Sequence, residues 1–287
     1  MQIGILIALT SAMLMTGMQI LLKKSYKELD PSLAFFFDSI FGLLIWIPIG
    51  CIFGATFDGV IKCFGYAIIS AILSEALVFY ALSKGNLSIS SVLISTYPIF
   101  TLIFSLLINN EILTISQVVL IVFTIIGIVL ACIDKEFKIK NMKNKEILIP
   151  IITALAIGMS DTLTKGIINT TSSFSFIVAI ALVQLPVALI YLKISKQKIT
   201  NIKLEYKKDS KFVKYSVLGS LLNIMATGCL LISFNYTYAS IASPLTAIYT
   251  PIVLLYSLIF LREKISKVNL IGVIISIIGT FGIIILG

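Results

Sequence analysis

Apolar runs of about 20 residues follow one another almost end to end along the chain, separated by short polar breaks. Ten segments can be drawn, over 3–22, 32–53, 64–83, 89–108, 116–133, 147–168, 173–192, 213–234, 241–260 and 268–286. The runs are continuous rather than alternating. That is the pattern of helices crossing a hydrocarbon core of ~30 Å, not of the roughly ten-residue alternating strands of a membrane barrel. Five segments lie on each side of a charged loop that holds Lys135, Lys138, Lys140, Lys143 and Lys145. The pattern predicts an all-α integral membrane protein of ten transmembrane helices. Its parts are a five-helix repeat over 1–133, a lysine-rich connection over 134–146 and a second five-helix repeat over 147–287.

The two halves also match in detail. STYPIFTLIFSLLINNE, Ser95 to Glu111, and IYTPIVLLYSLIFLREK, Ile248 to Lys264, each place a proline in an apolar segment that stops at a glutamate. The spacing is 13 residues from Pro98 to Glu111 and 12 from Pro251 to Glu263, and a glycine, Gly127 or Gly279, follows each glutamate by 16. Near the other end of each repeat, Gln19 stands four residues before Lys23 and Asp161 four before Lys165. An odd number of helices per repeat makes the second copy enter the membrane from the opposite side. Such inverted repeats are the architecture in which a solute site forms at mid-membrane and opens alternately to each side.

Composition narrows the reading further. Of 287 residues 59% are hydrophobic and only 12% charged, against roughly 25% charged in soluble domains. The first apolar segment begins at Ile3 with no basic region before it and reads as a retained helix rather than a signal peptide. Cys51, Cys63, Cys132 and Cys229 have no paired spacing and read as small apolar residues. Histidine is absent, so the commonest metal ligand and acid-base group is missing, and neither a metal nor a cofactor is expected. The net charge of +9 comes mostly from loop lysines and serves orientation in the lipid bilayer, not nucleic-acid binding. Loops after helices 1, 3, 5, 7 and 9 carry Lys23, Lys24, Lys27, Lys84, the central five, Lys193 through Lys214, Arg262, Lys264 and Lys267, whereas the opposite side has Lys62 and, near a helix end, Lys165. The positive-inside rule then puts both termini outside the cytoplasm, in a multi-pass protein of the plasma membrane.

With its two five-helix halves, the proline in helices 4 and 9, the glutamate after each and the glycine-bearing helix closing each half, the chain resembles the drug/metabolite transporter superfamily, in its EamA-like ten-helix branch. The resemblance covers nearly the whole chain. It implies a secondary transporter of small metabolites or drugs, with a central cavity lined by helices 1, 3, 4, 6, 8 and 9. Familiar relatives of this size have cytoplasmic termini, the reverse of what the lysines indicate.

Within that frame, Pro98 and Pro251 fall near the middle of helices 4 and 9. Each lacks an amide proton and frees a carbonyl one turn back, Ile94 or Ala247, giving a kink that lines the solute path or hinges it. Glu75 sits near the centre of helix 3, where a charge of its kind costs about 2.5–3.5 kcal/mol. It must be paired, protonated or facing water, and is the first candidate for proton coupling or for holding a cationic group. Asp161 lies within the apolar depth of helix 6, with Lys165 one turn on and able to pair with it; facing a cavity, the two would offer both signs of charge to an amino acid. Asp38 is placed near the interface without a role. Gln19, Tyr97, Asn223 and Tyr249 lie on cavity-lining helices, the tyrosines offering faces for apolar or cationic ligands. Trp46, Tyr80 and Phe35 to Phe37 read as packing or interface residues. Glu111 and Glu263 end helices, and capping of the following helix or pairing with Arg262 or Lys264 is expected. Gly127 with Ala131, and Gly272 with Ser276 and Thr280, suit close contact of helices 5 and 10.

The residues therefore favour a secondary active transporter moving a small metabolite, an amino acid or related amine, by alternating access. No nucleotide-binding loop is present, so the energy comes from a coupling proton or cation or from the solute gradient itself. An organic-cation or drug exporter using Glu75 and cavity aromatics is the alternative. An integral-membrane lipid enzyme is remote, since its usual His, Asp or Glu cluster is missing. A monomer suffices and a dimer is not forbidden.

Overall fold

A computed structural model describes residues 1–26, 28–83, 93–133, 144–201, 209–260 and 266–286. Among these the chain is helical, with no strand. The helices are α1 (Gln2–Ser25), α2 (Pro31–Ile52), α3 (Phe57–Ser70, running on through Ala71–Ala76 and Leu77–Ser83), α4 (Tyr97–Ile108), α5 (Ile115–Cys132) and α6 (Asn144–Ile168). They continue with α7 (Ser173–Ile194), α8 (Ser210–Ser233), the half-helices α9a (Ala239–Ala247) and α9b (Tyr249–Phe260), and α10 (Lys267–Leu286). Among the described residues eight spans have the length and apolarity to cross a membrane, counting α9a and most of α9b together, and α4 and α5 are shorter apolar helices.

Local chemistry sets most helix starts. Asp30 accepts the Ser32 amide at 2.9 Å with Pro31 in the first turn, Thr56 accepts the Gly59 amide, Ser172 that of Ser175 and Asp209 that of Lys211. Thr114 and Gln117 form a reciprocal capping box on α5. Ser266 and Asn269 repeat it on α10, the Asn269 amide donating to Ser266 Oγ at 3.1 Å and the Ser266 amide to Asn269 Oδ1 at 3.1 Å. Helix α3 begins at Phe57, seven residues before the apolar run that marks it in the sequence. The Thr56 cap and an exposed Asp58–Lys62 pair of 2.6 Å carry the helix past the edge of that run.

Packing respects the exchange of halves. Helix α1 lies against α8 as α3 lies against α6; α4 lies against α6 as α9a and α9b lie against α1; α2 meets α7, and α5 meets α10. The last contact brings backbone against backbone. A Cβ on Gly127 would fall 2.3 Å from the Ser276 nitrogen, and one on Gly272 2.2 Å from the Ala131 nitrogen. The small residues singled out in the sequence thus let two backbones touch.

Helices 4 and 9 are not kinked at proline as expected but interrupted. Leu93 and Ile94 are helical, a turn follows at Ser95–Thr96, and α4 starts anew at Tyr97. In the second half Ile248 separates α9a from α9b. Pro98 and Pro251 are accordingly the second and third residues of new helices. A missing amide proton costs nothing at such positions, because first-turn donors have no intrahelical partner. Residues 89–92 of the expected fourth segment, 134–143 of the central connection and Glu263 lie outside the described residues; 144–146, expected in that connection, are the first turn of α6.

Candidate functional site

Between the halves lies a cavity of ≈ 150 Å³, walled by residues of α1, α3, α6, α8 and the start of α9b, with Ile94 and Tyr97 from the fourth segment and Ile180 from α7. Gln19, Glu75, Tyr97, Asp161, Asn223 and Tyr249 all line it. The rest of the wall is mainly apolar, including Met15, Met18, Leu22, Val78 and Phe79, and among the described residues no basic side chain lines it.

The breaks and wide turns in the helices deliver these groups. Tyr97 and Tyr249 are the first residues of α4 and α9b, so each reaches the cavity from the point where its segment is interrupted. Glu75 stands in the wide π-type turn Ala71–Ala76 of α3, a local widening that recurs at functional sites. Pro98 and Pro251 are buried beside the cavity without lining it.

Asp161 accepts a hydrogen bond of 2.6 Å from the Ser243 hydroxyl, and the Ser243 carbonyl accepts one of 3.1 Å from the Tyr97 hydroxyl. The expected Asp161–Lys165 pair does not form. Lys165 instead donates to the carbonyl of Phe234, where α8 ends, and feels the charge of Glu111. Its ammonium is satisfied away from the cavity because that carbonyl is an unpaired helix-end acceptor.

Asp38 also departs from the sequence reading. It is fully buried, and both its carboxylate oxygens accept from the Asn223 amide, at 3.0 and 3.2 Å. It feels the charge of Glu75. Beside Glu75 stands the fully buried amide of Gln184. Near Asp38 the Tyr26 hydroxyl is buried and unpartnered. Asp38, Gln184 and Ser243 were missed in the sequence. The Asp30–Pro31 helix start held the signal for Asp38, since it puts that residue two turns inside α2. Nothing local marked Gln184 or Ser243, whose partners lie far away in the chain.

Glu111 caps a helix, though not the one that follows it. Its carboxylate accepts the amides of Ala239 at 2.9 Å and Ser240 at 3.1 Å, together with the Ser240 hydroxyl, at the start of α9a. The Thr114–Gln117 box occupies the start of α5 instead.

The family model described as the EamA-like transporter family matches residues 2–133 and again residues 144–285. The chain belongs to the EamA-like transporter family. A solved crystal structure superposes over 99% of this chain and 96% of its own with a TM-score of 0.77 at 13% identity, a likeness of fold alone. An uncharacterized protein of Methanocaldococcus jannaschii is 45% identical over 76 residues. That stretch is 25% of this chain and 56% of the length of that relative. Membership makes the chain a multi-pass membrane protein of a transporter family.

Proposed function

We propose that this EamA-like protein is a secondary transporter that moves a small amine across the membrane by alternating access. The observation that carries the reading is the charge of the cavity wall: Glu75 and Asp161 line it, with no basic side chain among the described lining residues. A solute's ammonium group matches those carboxylates. Its hydrocarbon body matches the methionines, Phe79 and the tyrosine rings, which add cation-π attraction. Amides and hydroxyls of Gln19, Asn223, Tyr97 and Tyr249 supply directional contacts.

The amino-acid half of the expected solute class fits less well. A zwitterion needs a positive group for its carboxylate, and Lys165 is engaged at Phe234. Only amides and hydroxyls would remain to receive the carboxylate. The organic-cation reading gains from the same observation and differs mainly in the size of the solute.

Coupling is assigned to Glu75 together with Asp38. Two neighbouring carboxylates in an apolar interior cannot both stay charged without a counter-charge. Gln184 and Asn223 can each donate to an ionised carboxylate or accept from a protonated one. The pair is therefore suited to hold a proton or cation that leaves as solute arrives. Pro98 and Pro251 would mark the joints at which the interrupted helices bend. The lysine distribution supports both termini outside the cytoplasm of a plasma-membrane protein, with halves at 1–133 and 147–287 joined by 134–146. One chain contains both halves of such a carrier.

Flux into proteoliposomes, measured with labelled amines, amino acids, nucleosides and sugar phosphates, tests the reading. Amines are expected to move and sugar phosphates to be excluded; flux confined to anionic solutes would refute it.

A further inference from the structure

Half-helix α9a is a separate nine-residue body, broken from α9b at Ile248, and every one of its residues is buried. Polar groups from the rest of the chain hold it. At its N-terminus the Glu111 carboxylate receives the Ala239 and Ser240 amides and the Ser240 hydroxyl, a negative charge on the positive end of the helix. Just before it, Lys165 holds the Phe234 carbonyl, and Asn235 bonds to Ser173 through both ends of its amide. In its middle Ser243 donates to Asp161 and accepts from Tyr97. The segment is thus clamped where α4, α6 and α8 end, and it touches the solute cavity through Asp161 and Tyr97, which line the cavity while Ser243 does not.

We propose that Glu111 and Ser240 latch α9a to close this end of the carrier, and that Asp161 links the latch to solute through Ser243. The proposal rests on the transport reading for its trigger but not for the latch itself. A cation that engages Asp161 competes with the Ser243 hydroxyl for the carboxylate and removes a tether in the middle of α9a. When the half-helix moves, Glu111 loses its amide donors, and Lys165, already within its field, takes over as partner. The carboxylate has two alternative partners, α9a or Lys165, which gives the end two discrete states rather than a continuum. The solute shifts their balance only as far as it favours one over the other. Glu111 and Ser240 are then positioning residues, remote from the solute itself.

The test uses full-length protein in proteoliposomes, with the four native cysteines replaced by serine and a reporter introduced as Thr237→Cys. Thr237 is 5% exposed, in the turn before α9a. The rate of labelling by a membrane-impermeant maleimide reports opening. Glu111→Gln and Ser240→Ala are each expected to raise that rate about tenfold or more, the size expected for losing a hydrogen bond to a charged group. With the latch intact, 2-phenylethylamine is expected to raise the rate, and Asp161→Asn to abolish the response. Ser240→Ala removes only a hydroxyl and keeps the measurement available if Glu111→Gln does not fold. Unchanged labelling in folded latch variants overturns the proposal, as does a reporter that ignores the amine while the same liposomes carry it. If latch variants open but the amine is neither carried nor felt, the latch stands and the transport reading falls.

Discussion

The Asp161 carboxylate and the Ser243 hydroxyl, 82 residues apart, meet at 2.6 Å across the interface of α6 and α9a. That bond settles the neighbourhood of Asp161: its partner is a neutral hydroxyl, and Lys165, one turn along the same helix, points elsewhere. A carboxylate with only neutral partners keeps its charge available to a cation. Asp161→Asn keeps the shape and removes the charge, and should lower amine flux at least about tenfold, as expected for losing a charge-assisted bond of about 1.5–3 kcal/mol. Initial rates in proteoliposomes, normalised to reconstituted protein, check this.

Ser243→Ala separates stability from transport at the same place. Deleting the hydroxyl leaves a buried carboxylate short of a donor and a half-helix short of a tether. The expected cost is about 1.5–3 kcal/mol, read as a lower midpoint of thermal unfolding in detergent. Thr246→Ala, whose hydroxyl makes a long 3.4 Å contact with the Ala8 carbonyl, should cost less.

Asp38 and Glu75 should behave as a pair. Glu75→Gln and Asp38→Asn are each expected to abolish uptake driven by an imposed proton or cation gradient, while exchange of internal for external solute persists. The double variant should be no worse than either single one, because members of one coupled unit are not additive. Retained gradient-driven uptake in Asp38→Asn would show that Glu75 acts alone.

Helices α5 and α10 form the scaffold, and their contact tolerates no added atoms. Gly127→Ala and Gly272→Ala push a methyl into the facing backbone and should each cost about 1–3 kcal/mol. Gly65→Ala meets nothing within 4 Å and serves as the neutral control in the same thermal unfolding series.

Much of this was legible in the sequence, and the exceptions have a common cause. Helix number, the internal repeat and the close contact at Gly127 and Gly272 follow from apolar length and small-residue spacing, which are local signals. Gln19, Glu75, Tyr97, Asp161, Asn223 and Tyr249 could be nominated because polar groups in long apolar runs are conspicuous, and the structure brings all six to one cavity. What could not be read were pairings between distant segments. By its position Glu111 belongs to the turn beside it, yet its donors are 128 and 129 residues away. By spacing Lys165 matches its i−4 neighbour, yet a helix-end carbonyl 69 residues away holds it. Distance from the start of an apolar run puts Asp38 near the interface, a measure that says nothing of an Asn223 waiting 185 residues further on. The helix breaks at Pro98 and Pro251 differ from kinks only in what precedes the proline, and a proline is compatible with both.

The proposed selectivity of the cavity is for a cation without an accompanying carboxylate. It is tested most directly by a matched pair of solutes, 2-phenylethylamine and phenylalanine, which share an aromatic body and an amino group and differ by the carboxylate. Initial uptake of each is measured in the same proteoliposomes at equal concentration. The amine is expected to enter at least about tenfold faster, one unpaired buried charge being worth that much, and Asp161→Asn to remove the difference. Equal uptake of the two, or faster uptake of phenylalanine, would contradict it.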